Sequence, residues 1–275
     1  PQSGGGGKSI KNPQSFPLQV QQRIDSDVIY LLDQYAMLPV RVPLIDKAEL
    51  SYDKRSSVLG ERLDTLIEDT AEGMLFNWVN TPAYGQYSAS QIPASHVFVV
   101  SGADGNGNAD APGAAGNRKM AALNDLQRMQ TYFRSINRWK EGKMCALLTP
   151  NMLAEIAPAD SVITATYMQS VTEEERRQGV YMKIQGWNIM SRSSVLSTDA
   201  GGSLRAPGEA TEATDQGASL FWYKEAVETA LGQIDALERL NDPEYLGDIY
   251  NWAVRIGGRC RRKDFKGVAI LRQAA

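Results

Sequence analysis

The sequence predicts an α+β protein. Apolar residues recur every three or four positions between Leu59 and Trp78, which is the spacing of one face of a long amphipathic helix. Compact apolar segments of strand length, such as 96–100 and 144–148, alternate with further helical segments in no regular order. We detect no internal repeat in the sequence. This mixed order of elements is typical of α+β folds.

Composition and charge narrow the class of protein. The 275 residues are 43% hydrophobic and 22% charged, which suffices for a folded core in one or two domains. The net charge of −3 argues against a dedicated nucleic-acid-binding protein. Cys145 and Cys260 have no close partner in sequence, so they indicate neither a disulfide framework nor a metal site and favour a reducing compartment.

The sequence contains no segment typical of membrane insertion or export. No apolar run approaches the length of a membrane span, and glycines occupy the N-terminal positions where a signal peptide has its apolar segment. We therefore expect synthesis in a cytoplasm and no contact with a membrane. The first residue, Pro1, is compatible with methionine removal, a shortened chain or maturation of a precursor.

The chain before the long helix divides into three predicted parts. Residues 1–17 are polar and rich in Gly and Pro, so they cannot fold alone. Apolar residues at helical spacing predict a helix within Leu18–Leu38, and the segment Val40–Leu44 predicts a strand. The segment from Glu49 alternates apolar and polar residues and ends in Lys54-Arg55, which predicts an extended ribbon leading directly into the long helix.

The elements after the long helix are predicted from periodicity and from helix-start signals. Thr149-Pro150 and the capping box Thr172–Glu175 each mark the start of a short helix. The apolar phase changes at Gly186, which predicts a bulge or bend. The complete expectation is strands at 96–100, 144–148, 180–190, 250–256 and 267–271, helices at 119–137, 150–156, from 172 and at 221–231, and loops at 102–116 and 197–217.

Several patterns suggest chemistry but lack a required residue. GGGGKS at 4–9 has Gln2 where a phosphate-binding loop needs glycine. The Asp/Asn series 104–110 lacks the glycine and the glutamate of a calcium loop, at Ala109 and Ala115. The single histidine, His96, leaves no histidine cluster for zinc.

The remaining acidic and nucleophilic residues do not indicate an enzyme either. The carboxylates Glu173 to Glu175 lie at a predicted helix start, where acidic residues stabilise the helix end. No obvious general base accompanies a serine or cysteine nucleophile. We therefore predict no catalytic residues, no metal and no cofactor.

The densest basic stretch runs from Arg255 to Lys266. Two interpretations remain open for it: contact with DNA phosphates or with acidic residues of a neighbouring subunit, or a solvated strand edge whose charges prevent aggregation. The candidate contact residues in this stretch are Arg259, Arg261, Arg262 and Lys263.

Four segments resemble the tailed-phage major capsid proteins of the Hong Kong 97 type. The most specific is SYDKRSSVL (51–59), where a projecting loop leads into a long helix. GVYMKIQGWNIMSRSSVL (179–196), ASLFWYKEAVETALG (218–232) and YNWAVRIGGRCRRKDFKGVAIL (250–271) are similar, in order and spacing, to the strand, helix and closing strands in the later half of that family. The resemblance rests on the order of all four segments.

The resemblance implies a Hong Kong 97-like capsid fold with four parts. Residues 1–35 would form an N-terminal arm and residues 36–60 an extended loop. Residues 61–140 and 259–275 would form a peripheral domain with a long spine helix, and residues 141–258 an axial domain. The residues expected at contacts between subunits are Leu50, Tyr52, Lys54 and Arg55 in the loop and Ile10, Phe16 and Leu18 in the arm.

The implied function is structural. The chain would self-assemble, as hexamers and pentamers, into the icosahedral shell that encloses the double-stranded DNA of a tailed bacteriophage. Assembly in the host cytoplasm would place it in the virion, with non-specific DNA contact and with portal, scaffold or decoration proteins as further partners. The alternative implied by the same fold is an encapsulin-type compartment shell, although the polar N-terminus does not resemble an encapsulin's first helix.

Overall fold

A computed structural model describes residues 9–12, 14, 16–17, 20, 32–43, 54–81, 83, 89–102, 118–158, 162–210, 212 and 214–273. Helices and strands are mixed along this part of the chain, as predicted for an α+β protein. None of its helices is long and apolar enough to cross a membrane.

Thirteen strands occur in the described residues. They are β1 (Asp33–Ala36), β2 (Val40–Pro43), β3 (Asn80–Thr81), β4 (Ser90–Gln91), β5 (Val97–Val99), β6 (Met144–Leu148), β7 (Met182–Ile184), β8 (Trp187–Ser191), β9 (Leu196–Thr198), β10 (Gln216–Tyr223), β11 (Val227–Asp242), β12 (Gly247–Cys260) and β13 (Val268–Arg272).

Five α-helices and two short 3-10 turns complete the described elements. The helices are α1 (Lys54–Val79), α2 (Leu123–Ser135), α3 (Pro150–Ile156), α4 (Val162–Gln169) and α5 (Glu173–Arg177). The 3-10 turns are Ala94–His96 and Lys224–Ala226.

The first sheet is built around a long antiparallel hairpin, β11–β12. The short strands β1 and β2 both pair with the other edge of β12, with Asp33 opposite Ile256 and Val42 opposite Asp248. Helix α1 packs across this sheet, and the Asn77 amide donates to the Asp33 carboxylate at 2.6 Å. The long helix and this four-stranded sheet therefore form one layered unit.

Gly73 marks the closest approach between α1 and this sheet. A Cβ atom at this position would lie 1.7 Å from the hydroxyl oxygen of Tyr35, which is much closer than any real contact. Gly60, in the same helix, has no atom within 4 Å of the corresponding position. Glycine at 73 therefore allows the Tyr35 side chain of β1 to pack directly against the helix.

We predict that Gly73→Ala destabilises the folded subunit by about 1 to 3 kcal/mol, because the ring of Tyr35 and strand β1 must shift. Gly60→Ala is the matched control and should stabilise the subunit by about 0.5 to 1 kcal/mol, because alanine favours the helix. Urea unfolding of both variants measures the difference. Equal stabilities for the two variants would show that Gly73 is not needed for packing.

The second sheet has seven strands in the order β5-β13-β10-β6-β8-β7, with β9 paired to the end of β10. Its central strand β6 is buried along its whole length. Helix α2 covers one part of the sheet through Phe133, whose ring centroid lies 5.3 Å from that of Trp187. Trp187 in turn packs edge-on against Phe221 at 5.0 Å. These aromatic rings form the centre of the main core.

Most of the predicted elements are confirmed in the described residues. The long helix is present as α1, and the Thr172 hydroxyl accepts from the Glu175 amide in the predicted capping box. The single strand predicted at 180–190 is instead the antiparallel pair β7 and β8, with Gly186, at φ +80°, in the turn between them, which explains the change of apolar phase. The other confirmed elements are the strands β2, β5, β6, β12 and β13 and the helices α2 and α3, with α2 shorter than predicted.

The prediction of a helix at 221–231 is wrong. Its residues belong to β10, the 3-10 turn and β11. Leu220 and Phe221 are fully buried in the middle of the seven-stranded sheet, where β10 pairs with β13 on one edge and β6 on the other. A strand buried on both faces shows no alternation of apolar and polar residues, so its pattern does not differ from that of a buried helix.

Two predictions around the N-terminal third also need correction. Residues 33–36 are a strand rather than the end of a helix, because they pair with β12, and most of the remaining segment 18–31 lies outside the described residues. Lys54 and Arg55 begin α1 instead of ending a ribbon. Residues 44–53, which carry the predicted ribbon, lie outside the described residues.

The seven-stranded sheet combines segments from both predicted domains. Strands β5 and β13 come from the segments predicted as peripheral, whereas β6, β8 and β10 come from the segment predicted as axial. The predicted boundaries near 140 and 259 therefore do not coincide with a boundary between the two sheets. The division into peripheral and axial domains stays a prediction about an assembled particle.

Candidate functional site

An open apolar groove lies between the first half of α1 and the β11–β12 hairpin. Its volume is about 410 Å³. On the predicted apolar face of the helix, Leu75 and Trp78 pack into the core near the C-terminal end, and Leu66 is also buried. Leu63 and Ile67 remain 44% and 57% exposed. Part of the first half of the helix face is therefore not covered by the described part of the chain.

The hairpin side of the groove is equally apolar and equally exposed. Leu231 pairs with Ile256 and Ile234 pairs with Val254, so both face the helix. They are nevertheless 61% and 63% exposed, because α1 does not extend over them. Apolar surface of this kind, continuous across two elements, is typical of a protein interface.

A second surface is strongly basic, and the fold assembles it from three distant segments. We call it the basic corner. Its cations come from the α2–β6 connection, the 3-10 turn before β11 and the β12–β13 turn, and they surround Glu225 and Asp264. The cationic residues of the basic corner are Arg138, Lys140, Lys143, Lys224, Arg261, Arg262, Lys263 and Lys266.

The acids inside the basic corner fix its cations in place. Glu225 accepts a hydrogen bond from the Lys143 ammonium, with which it forms an ion pair, and a second from the Tyr223 hydroxyl at 2.5 Å. The bond from Lys143 has the larger effect, and together the two lower the pKa of Glu225 to about 2. The Asp264 carboxylate accepts hydrogen bonds from Nε and Nη2 of Arg262, both at 2.9 Å. The same guanidinium lowers the pKa of Asp264 to about 2.

We predict that Lys143→Met raises the pKa of Glu225 towards its usual value of 4.5. In the wild type, the pKa of Glu225 is lower in the folded state than in the unfolded state. The ion pair therefore stabilises the fold fully above about pH 4.5, and this stabilisation is lost as the pH falls towards 2. NMR titration of the glutamate carboxyl carbons in unassembled subunits measures the shift. Lys183→Met is the control, since it removes the partner of Glu175 and should leave Glu225 unchanged.

The predicted basic contact residues lie in different environments. Arg259 is only 5% exposed and pairs with Glu228 at 3.2 Å, so it is used within the subunit. Arg261 is exposed at the edge of the basic corner and also pairs with Glu228, at 2.9 Å. Arg262 is held by Asp264, and Lys263 is exposed. A contact role for these residues stays a prediction.

The predicted arm and loop residues are described only in part. Ile10 and Phe16 are 64% and 76% exposed, so neither is buried against its own subunit. Leu18, Leu50 and Tyr52 lie outside the described residues. Their predicted contacts, like those of Lys54 and Arg55, stay predictions.

The single histidine and the two cysteines of the chain are buried. His96 is buried, and its Nδ1 lies 3.2 Å from the carbonyl oxygen of Val268. Burial raises the pKa of the Cys145 thiol and raises that of Cys260 to about 11. Neither thiol is activated by these surroundings. Among the described residues, no three or more His, Cys, Asp or Glu side chains come together as a metal site.

Comparison with solved structures links this architecture to phage particles. The chain is similar over 99% of its length to the capsid structure of cyanophage P-SCSP1u, covering 81% of that chain with a TM-score of 0.59 and 17% identity. It is similar over 98% of its length to a chain of the mature capsid of bacteriophage PhiM1, covering 80% of that chain, with a TM-score of 0.55 and 12% identity. This chain has a phage capsid fold.

A third structure, from Mycobacterium phage Che8, gives the same result. The similarity covers 98% of this chain and 82% of the Che8 chain, with a TM-score of 0.54 and 12% identity. No protein-family model matches the sequence, and no curated protein matches it. The likeness of fold to these phage structures therefore occurs at only 12 to 17% sequence identity.

Sequence reasoning did not predict the apolar groove and predicted the basic corner only in part. The groove requires the helix face of α1 to meet residues that lie more than 150 positions later, such as Leu231. In the basic corner, only Arg261, Arg262 and Lys263 were candidates, since nothing in the sequence places Arg138 or Lys143 beside them. The periodic apolar face of α1 was the available signal for the groove.

Proposed function

We propose that this chain is the major capsid protein of a tailed bacteriophage, with a fold of the Hong Kong 97 type. Its function would be to self-assemble into a closed icosahedral shell that encloses double-stranded DNA. The observation that carries the proposal is the similarity of nearly the whole chain to phage capsid structures. No catalytic or metal-binding role is included in it.

The exposed apolar groove supports this proposal, because a shell subunit needs surfaces that only another copy covers. Leu63, Ile67, Leu231 and Ile234 expose apolar area that would favour association in water. A second copy covering the groove would bury them. Many weak contacts of this kind suffice when every subunit touches several neighbours.

The arm and the loop would supply further contacts. Residues 1–35 would extend as the N-terminal arm, with Ile10, Phe16 and Leu18 on a neighbouring subunit. Residues 36–60 would form the extended loop, with Leu50, Tyr52, Lys54 and Arg55 in contact. Ile10 and Phe16, both exposed in the isolated subunit, support this assignment for the arm.

The subunits would form hexamers and pentamers through head-to-tail contacts that close into rings. The peripheral domain, with α1 as the spine helix, would be 61–140 with 259–275, and the axial domain around the ring centres would be 141–258. Assembly would take place in the host cytoplasm and lead to the virion. Packaged DNA, portal, scaffold and decoration proteins would be the other partners.

Electron cryomicroscopy of particles formed by the purified protein tests this proposal. We expect closed icosahedral particles with hexameric and pentameric units, and a subunit density that fits the described sheets and helices. Particles with enclosed protein cargo and no capacity to package DNA in an infected host would favour a compartment shell instead. Open sheets or unbounded fibres would contradict a closed shell.

A further inference from the structure

The basic corner is exceptional in a chain that is acidic overall. Its three segments, 138–143, 223–226 and 261–266, contain eight cationic and three acidic side chains, which gives a local net charge of +5. The whole chain carries −3, so the remaining residues carry −8. The basic corner therefore carries a net charge opposite in sign to that of the rest of the subunit.

A complementary acidic surface lies on α1. Glu61, Asp64 and Glu68 are spaced three and four positions apart, so they form one line along the helix, and all three are exposed. We call these three residues the acidic strip. The strip borders the exposed Leu63 and Ile67, so it lies beside the apolar groove.

Within one subunit the two charged surfaces lie apart. The C-terminal end of α1 lies beside the basic corner, since Trp78 Nε1 donates to the Glu228 carbonyl and Arg261 pairs with the Glu228 carboxylate. Asp64 precedes Trp78 by fourteen residues, which is about 21 Å along a helix axis. Because this exceeds the Debye length of about 8 Å at physiological ionic strength, the strip cannot neutralise the corner of its own subunit.

We infer that the basic corner of one copy docks against the acidic strip on α1 of the next copy. Each subunit carries one surface of each sign, so every copy offers one contact in each direction. Such a pair produces a heterologous, head-to-tail contact, which is the type that closes into rings. The inference rests on the proposed shell function and adds the surfaces that fix the order and orientation of neighbouring subunits.

The internal ion pairs of the basic corner favour this role. Arg262 is held by two hydrogen bonds to Asp264, and Lys143 is held by Glu225. Cations that are already fixed lose less conformational freedom on docking than free side chains. Complementary charge of this kind contributes mainly to specificity and to the rate of association. A second copy is favoured over nucleic acid because the complementary surface belongs to this chain, whose overall charge is negative.

Charge reversal tests the inference. The corner variant is Lys224→Glu with Lys263→Glu and Lys266→Glu, which makes the corner slightly acidic. The strip variant is Glu61→Lys with Asp64→Lys and Glu68→Lys, which makes the strip basic. All six residues are exposed, so we expect both variants to fold. Each variant alone should lower the yield of sedimentable particles by at least about tenfold, because like charges then face each other. Mixing the two variants, or combining all six substitutions in one chain, should restore the yield to within about twofold.

The control variant is Glu173→Lys with Glu174→Lys and Glu209→Lys, which makes the same change in charge as the strip variant on other exposed residues and should assemble normally. The inference is overturned if the single-surface variants assemble normally, or if neither mixing nor combination restores assembly. Normal assembly of the corner variant with loss of binding to duplex DNA would assign the corner to nucleic acid and overturn it as well. A wild-type chain that forms no particles would instead contradict the proposed function.

Discussion

Replacing Ile234 with aspartate should abolish shell formation while leaving the subunit folded. The side chain is 63% exposed and faces the apolar groove, so the isolated subunit tolerates a charge there. In the proposed shell, a second copy covers this position, and the carboxylate would be buried without a partner. We expect the yield of particles to fall by at least about a hundredfold, because the penalty recurs at every contact of this type in the shell.

Leu237→Asp is the matched control for this substitution. Leu237 lies on the same strand and is 62% exposed, but it pairs with Asn251 and faces the opposite side of the sheet from Ile234. Sedimentation and electron microscopy should show particles for the Leu237 variant and unassembled subunits for the Ile234 variant. If the Ile234 variant forms particles at the wild-type yield, the groove is not an interface between copies.

Trp187→Ala should strongly destabilise the folded subunit. Trp187 is fully buried, and its ring lies about 5 Å from those of Phe133, Trp139 and Phe221. Removing it leaves a cavity between α2 and the seven-stranded sheet, which costs about 3 to 5 kcal/mol. Many domains have a total stability of only about 5 to 15 kcal/mol, so a large share of it would be lost.

Urea unfolding of unassembled subunits, followed by far-UV circular dichroism, measures this effect. Trp252→Ala is the control, because Trp252 is half-buried and its ring centroid lies 6.4 Å from that of Tyr250, outside the aromatic cluster around Trp187. Trp252→Ala should lower the free energy of unfolding by less than about 2 kcal/mol. Equal losses for the two variants would show that the aromatic cluster around Trp187 is not the centre of the core.

The sequence predicted the elements whose pattern is unambiguous. Helix α1 was predicted because its apolar face is periodic over more than five turns, and β12 was predicted because Tyr250, Trp252 and Val254 alternate with polar residues. Strand β10 was not predicted, since Leu220 to Tyr223 are all buried and show no period. Its identity as a strand depends on pairing with β6 and β13, which are distant in sequence.

The candidate surfaces were less predictable than the fold, because proximity in space creates them. The apolar face of α1 was evident, but its exposed half became visible only when the hairpin residues Leu231 and Ile234 were placed beside it. Similarly, Arg259 and Lys263 are near neighbours in sequence, yet the structure buries the first and exposes the second. Charge alone could not separate the two positions.

We propose that this chain functions as one copy among many in a closed shell. Sedimentation velocity of the purified full chain, over a range of concentrations at physiological salt, tests this assembly most directly. We expect large particles of uniform size that electron microscopy shows as closed shells, in equilibrium with few free subunits. A single species of 30.2 kDa at every concentration, corresponding to the monomer, would contradict the account.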